Sequence, residues 1–161
     1  HYKNAKLIAA YLACDGEIDL SIFLAHAART GKKIYVPVLN AAGLMRFVRY
    51  LPGAVPGSSQ GGFSAPARGQ LAPRRLRFDL VLLPLVAFDA AGNRLGRGGG
   101  HYDRYFSNVN RQQKFAPRLF GIAHAMQQAG SLQAAPWDVG LDAVASERGI
   151  QYFRGLQSRP I

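Results

Sequence analysis

Apolar positions along the chain fall into two periods, and each predicts its own kind of element. Leu7, Ile8, Tyr11 and Leu12 recur at helical spacing, which predicts an amphipathic helix over residues 2–14, broken at Asp15-Gly16. Leu20, Phe23, Leu24 and Ala27 share one face of a second predicted helix, from about Asp19 to Thr30, with Gly31 placed as its C-terminal stop. KIYVPVL, Lys33–Leu39, is rich in β-branched and aromatic residues and predicts a strand. Asn40–Gly43 reads as a turn and Leu44–Tyr50 as the next strand, although its apolar residues alternate poorly. Residues 51–73 are rich in Pro, Gly, Ser and Gln and read as a long loop, the kind of segment that often serves as a functional lid.

The run DLVLLPLVAF, opening at Asp79, is continuously apolar, the pattern of a central strand covered on both faces of a parallel sheet. A glycine-rich stretch follows it directly. Then come a predicted helix from His101 to about Gln113, a strand Leu119–His124, and two short closing strands, Asp142–Ser146 and Ile150–Phe153. Helices alternating with buried strands predict a single three-layer α/β/α domain over residues 1–161 with a mostly parallel central sheet. A chain of 161 residues suits one domain with a real core. It shows no internal repeat, linker or second domain.

Charge narrows the partners. Twenty Lys plus Arg against nine Asp plus Glu gives a net charge of +11, and fifteen of the twenty are arginine. Arginine's planar fork grips phosphate or carboxylate through two oxygens, so anionic partners are favoured: nucleic acid, nucleotide phosphates or carboxylate-rich small molecules. No apolar run is long enough to span a bilayer. The single cysteine, Cys14, excludes an intramolecular disulfide and a Cys-rich zinc cluster, and reads as a small core residue. His26 and His124 read as structural or surface residues. With no HExxH, no GxSxG and no Cys-His pair, zinc hydrolysis and serine or cysteine catalysis have no support.

The densest chemistry lies in RLGRGGGHYDR, Arg94–Arg104, which follows a buried strand. Clustered glycines let backbone N–H groups converge, and with arginines beside them they suit a phosphate chain. Neither familiar phosphate loop fits: there is no Gly-Lys-Ser/Thr, and His101 stands where GxGxxG needs its third glycine. A surface turn with solvated arginines is the bland alternative, but it does not call for HYDR at the mouth of a helix.

GNRLGRGGGHYDRYF resembles the signature of the 5-formyltetrahydrofolate cyclo-ligase (5,10-methenyltetrahydrofolate synthetase) family, whose pattern is close to RLGxGxGYYDR. DLVLLPLVAFDAAG looks like the family's preceding strand, YLACDGEIDL like its substrate segment, and GIAHAMQ with PWDVGLDAV like its C-terminal parts. The resemblance implies a cytoplasmic, monomeric enzyme that uses ATP and Mg²⁺ to convert 5-formyltetrahydrofolate to 5,10-methenyltetrahydrofolate, releasing ADP and phosphate. Carried over position by position, it implies an ATP site of Arg94, Leu95, Gly96, Arg97, Gly98, Gly99, Gly100, His101 and Tyr102, with Arg97 and Tyr102 catalytic. Leu12, Glu17, His101 and Tyr102 would contact the folate, and Asp103 with Asp138 would hold Mg²⁺, hard oxygen ligands for a hard cation. Trp137 beside Asp138 reads as a packing anchor for the metal segment.

Read from the residues alone, Glu17 is a helix-start acid beside Asp15 and Asp19, favoured by the helix dipole. Three departures from the pattern stand out. His101 replaces the usual tyrosine; Ala65, in GGFSAPA, replaces a glutamate of the family's FGIxEP region; and the basic helix with which family members begin would precede His1. The last two keep open an ATP-binding homologue without cyclo-ligase activity. RRLR, Arg74–Arg77, leaves a basic nucleic-acid-binding domain as a further alternative, though no RNP-like, KH or helix-turn-helix pattern accompanies it.

Overall fold

The structure is a computed structural model and describes residues 1–53, 66, 69–73, 76–107 and 116–153. Among the described residues nine strands form a seven-stranded sheet and a two-stranded hairpin. In chain order they are β1 (Leu7–Ala9), β2 (Lys33–Leu39), β3 (Met45–Arg49), β4 (Leu80–Pro84), β5 (Ala87–Phe88), β6 (Arg94–Leu95), β7 (Arg118–Ile122), β8 (Ala143–Ser146) and β9 (Gly149–Tyr152). Helix α1 spans Ser21–Arg29, helix α2 spans His101–Phe106, and Ala125–Gln127 forms a single 3₁₀ turn. The main sheet runs β3-β2-β1-β4-β7-β8-β9. Its five inner strands are parallel, and an antiparallel strand closes each edge.

Each face of the sheet is covered, as the α/β/α expectation requires. On one face α1 presses Leu24 and Ala27 onto Ile8, Ile34, Leu80, Leu82 and Phe120. On the other, Tyr102 and Phe106 of α2 join Phe47, Phe78, Val81, Leu83, Leu119 and Val144. Successive β4 residues therefore alternate between two cores, which is why its sequence is a continuous apolar run.

The predicted helix over residues 2–14 does not form. Leu7–Ala9 is instead a strand in the middle of the sheet, parallel to β2 on one side and to β4 on the other. Ile8, Ala9 and Ala10 are all buried, Ala9 in one core and its two neighbours in the other. A short run buried on both faces carries no period, so the helical spacing of its apolar residues was coincidental. Asp79 fixes its start: one carboxylate oxygen accepts the N–H groups of both Lys6 and Leu7, each at 2.8 Å.

Elsewhere the pattern holds closely. β2 matches its predicted bounds, α1 and β3 lie inside theirs, and the last three strands fall within two residues of the expected ends. Helix α2 begins at His101 as expected, while the rest of the predicted span, from residue 108, lies outside the described residues. So do residues 54–65 of the long loop, with Ala65 among them, and Arg74 and Arg75.

Gly92 turns the hairpin between β5 and β6. Its φ is +87°, and an added Cβ would sit 2.9 Å from Cγ of Phe153 and 3.0 Å from the Leu141 carbonyl. Gly92→Ala should therefore destabilise the protein by roughly 1–3 kcal/mol through combined strain and overpacking. A urea denaturation midpoint unchanged from the parent would show that this corner yields.

Candidate active site

Because β1 has parallel neighbours on both sides, the chain leaves it first toward β2 and returns later to β4. In open α/β sheets such a reversal of strand order opens a crevice beyond the carboxyl ends of the strands. Here it holds a cavity of about 480 Å³, within the roughly 300–1,000 Å³ usual for small-molecule sites. Four segments wall it: Tyr11 and Asp15–Ile18 after β1, Pro84–Val86 from the end of β4 onward, the stretch from Arg94 to Asp103, and Ile122 at the end of β7 with Gln127 beyond it.

The glycine-rich stretch is launched from a stiff hairpin. Asp89, 3% exposed, accepts the N–H groups of Ala91, Asn93 and Leu132 and the Asn93 side-chain amide, all at 2.9–3.0 Å. Burial alone would raise its pKa, but these donors, led by the Asn93 side chain, hold it below the usual carboxylate range. Arg94 then turns inward, its side chain 6% exposed, and its Nη2 lies 2.6 Å from Oδ1 of Asp103 on α2. The same oxygen accepts the Val139 N–H at 3.1 Å. One carboxylate thus ties together the hairpin, the helix and the segment leading to β8.

Arg97, half-exposed, reaches across the cavity mouth to the loop after β1. Its Nη2 lies 2.7 Å from Oδ2 of Asp15 and its Nη1 lies 3.3 Å from Sγ of Cys14. Asp15 has a φ of +45°, a left-handed conformation that aspartate tolerates better than most residues. Two positions on, Glu17 Oε2 accepts the Cys14 N–H at 3.2 Å. Burial raises the Glu17 pKa, and the Cys14 hydrogen bonds offset this only in part. Nor does Glu17 start the helix: α1 begins at Ser21, and Asp19 accepts the Ser21 N–H and hydroxyl at 2.8 and 2.7 Å. The helix-start task belongs to Asp19, and Glu17 is left in the cavity wall.

Tyr11 donates its hydroxyl to the Ile18 carbonyl at 3.0 Å, and burial, with Glu17 second, pushes its pKa up. Tyr102 is buried and its pKa is likewise pushed up by burial, so it keeps its proton. Arg104 braces the loop from α2, donating Nη2 to the Gly99 carbonyl at 2.7 Å with His101 Nδ1 3.1 Å away. Burial, then the Arg104 charge, lowers the His101 pKa.

Of the residues implied by the resemblance, Glu17, Arg94, Gly96, Arg97, Gly99, Gly100, His101, Tyr102 and Asp103 line the cavity. Leu12, Leu95, Gly98 and Asp138 are not part of that wall. Leu12 packs on the α1 side of the sheet, and Leu95 is half-exposed on β6. Asp138 is exposed, its Oδ2 accepting the Ala135 N–H at 2.8 Å, although the next residue, Val139, bonds Asp103. Trp137 is 70% exposed and is no buried packing anchor; the turn is held by Asp138 itself, and Val139 and Leu141 join the core. Cys14 is no core residue either, being half-buried in the loop that Arg97 grips.

Sequence reasoning passed over Tyr11, Asp15, Asp89, Arg104 and Gln127. Tyr11 was assigned to a helix and Asp15 to a helix break. For Asp89 a signal existed in DAAGN, a turn whose leading aspartate caps the N–H groups that follow.

Fold and site together define an open-sheet α/β enzyme whose glycine- and arginine-rich loop faces a half-buried carboxylate at the switch point of the sheet. The model of the 5-formyltetrahydrofolate cyclo-ligase family matches residues 1–147, and the chain belongs to that family. It is 36% identical over 147 residues to the 5-formyltetrahydrofolate cyclo-ligase of Escherichia coli K12, covering 88% of this chain and 78% of that one. To the Haemophilus influenzae cyclo-ligase it is 37% identical over 142 residues, covering 86% and 74%. Among solved structures it is similar to Aquifex aeolicus 5,10-methenyltetrahydrofolate synthetase, with a TM-score of 0.74 at 27% identity over 94% of this chain and 74% of the other. Membership favours the enzyme over a nucleic-acid-binding domain. Among the described residues no helix is long and apolar enough to cross a membrane.

The two loop arginines should separate in a stability measurement. Removing one partner of a buried ion pair strands the other charge, so Arg94→Ala should lower stability by roughly 3 kcal/mol. Arg97→Ala breaks an exposed, solvent-screened pair and should leave stability nearly unchanged. Equal urea midpoints for the two variants would refute the structural role given to Arg94.

Proposed function

We propose that this protein catalyses the ATP- and Mg²⁺-dependent conversion of 5-formyltetrahydrofolate to 5,10-methenyltetrahydrofolate, with release of ADP and phosphate. One observation carries the reading: the glycine-arginine loop and Glu17 line the same cavity, from opposite sides of the switch point. Phosphoryl transfer depends on positioning and charge neutralisation more than on covalent catalysis, and this wall offers both. Arg97, freed from Asp15, grips the phosphate chain, while Arg94 acts from its ion pair with Asp103 and main-chain N–H groups of the loop complete the cradle. Glu17 accepts from the pterin N–H groups, and Tyr102 lines the place where the two substrates meet.

The formyl oxygen attacks the γ-phosphorus and ADP leaves, giving an imidate phosphate. The folate's 10-nitrogen then attacks the imidate carbon and gives up its proton, which departs with inorganic phosphate and leaves the methenyl bridge. Tyr102, held protonated by burial, can donate to a developing negative oxygen but cannot serve as a base near neutrality.

The donor set suits magnesium. Among the described residues no group of three or more His, Cys, Asp and Glu is placed to hold a metal ion, but Mg²⁺ bound with substrate phosphates needs only one or two protein carboxylates. Asp103 and Asp138 would hold it, on segments already joined through the Val139 N–H. When bound, the ion would neutralise charge on the phosphate oxygens.

Absorbance of methenyltetrahydrofolate formed from 5-formyltetrahydrofolate, with and without ATP and Mg²⁺, tests the whole reading. No product under any condition would favour a homologue without cyclo-ligase activity.

Two outcomes follow for single residues. Glu17→Gln should weaken folate binding by about 10- to 100-fold, since a charged acceptor contributes roughly 1.5–3 kcal/mol, and leave nucleotide binding unchanged. Because the ionised form binds and its pKa is raised, wild-type affinity should fall on acidification before an ordinary glutamate would titrate, and the Gln variant should lack that limb. A calorimetric titration series in which both proteins share one pH profile would return Glu17 to a structural role. For the metal, Asp103→Asn and Asp138→Asn should each cut the rate at ordinary magnesium and recover in part when magnesium is raised. The double variant should cost less than the sum of the two, as residues serving one ion are not independent; strict additivity would separate them.

A further inference from the structure

His101 occupies the first position of α2 and lies against the phosphate-type loop. A Cβ added to Gly99 would be 2.6 Å from its Cδ2 and 2.8 Å from its Nε2, so that edge of the ring fits only because residue 99 has no side chain. The other nitrogen, Nδ1, is 3.1 Å from Nη2 of Arg104. A guanidinium has five donors and no acceptor. Nδ1 must therefore offer its lone pair, and the ring proton of the neutral imidazole resides on Nε2, the nitrogen beside the glycines.

Arg104 is not part of the cavity wall, yet it touches three consecutive parts of that wall. The same Nη2 holds the Gly99 carbonyl at 2.7 Å. Its Nη1 lies 3.0 Å from where a Gly100 Cβ would stand, and Gly100 has a φ of +57°. The guanidinium thus closes the loop onto the helix and selects one tautomer of the histidine that lines the cavity.

We propose that Arg104 is a positioning residue: by fixing His101 Nδ1 as an acceptor, it presents a neutral Nε2–H donor to the phosphate chain of the nucleotide seated on the glycine loop. This rests on the nucleotide reading of that loop. It also gives His101 a definite task. The tyrosine usual here in the family pattern presents a hydroxyl, which has no tautomer to select. Histidine can replace it as a donor only if something holds its proton on the right nitrogen, and Arg104, one turn along the helix, does so.

The test combines a spectroscopic and a binding measurement on the full chain. Imidazole ¹⁵N shifts, assigned with His101→Tyr, should show ligand-free His101 in the Nε2–H form, and Arg104→Met should admit an Nδ1–H population. Binding of the β,γ-imido analogue of ATP, followed by calorimetry with magnesium, should weaken about tenfold in Arg104→Met, the loss of one good hydrogen bond. In a His101→Tyr background the same Arg104→Met change should cost less than about twofold, within ordinary additivity error. An Nδ1–H wild type overturns the proposal without any variant. So does an equal loss in both backgrounds, which would mean that Arg104 acts through its charge or through loop folding. A wild type that shows the Nε2–H form but binds no analogue refutes the nucleotide reading, and with it the ligand task of His101, while the Arg104 contact remains a feature of the free protein.

Discussion

A strand paired in parallel on both sides cannot be followed by a hairpin, and β1 is such a strand. From β1 the chain crosses over through α1 to β2, and from β4 it crosses over the other way, through α2 to β7. The gap left above β1 is the cavity. Everything placed there depends on that divergence: the loop carrying Asp15 and Glu17 lies on one lip, and the stretch from Arg94 to Asp103, carried by the hairpin after β4, lies on the other. Three residues, Leu7–Ala9, therefore determine where two sets of cavity-lining groups can meet.

How much of this could be read from the residues depended on the kind of order each segment carries. Helix α1 and strands β2 and β4 announce themselves because one or both faces are buried over several residues. β1 is too short to show a period, and the partners that make it a strand lie more than twenty positions away, so helical spacing was a false signal. The glycine-arginine stretch stood out by composition, and its resemblance named the family. What the residues could not show was pairing: Arg97 with Asp15, 82 positions apart, or Asp103 with Val139, 36 apart. Trp137 illustrates the converse, since a large aromatic in the middle of a recognisable motif invites a packing role that its exposure denies.

Acids are scarce in this chain, and the fold uses nearly all of them on its own backbone. Eight of the nine carboxylates accept at least one main-chain N–H: Glu17, Asp19, Asp79, Asp89, Asp103, Asp138, Asp142 and Glu147. Asp15 takes the Arg97 guanidinium instead. Several of these acceptors stand where a strand or turn begins, at sites that would otherwise leave peptide donors without partners. Asp79 collects the Lys6 and Leu7 N–H groups where β1 begins, and Asp142 collects the Leu119 N–H one residue into β7.

That allocation shapes the field around the molecule. Twenty basic residues face nine acids, most of them turned onto amide groups, and the resulting excess of eleven positive charges acts well beyond contact distance. A diffusing polyanion feels that attraction before it touches the protein, so capture is steered toward the cationic lip of the cleft and slows as added electrolyte shortens the Debye length. The peptide-capping habit of a few aspartates thereby becomes a property of encounter kinetics.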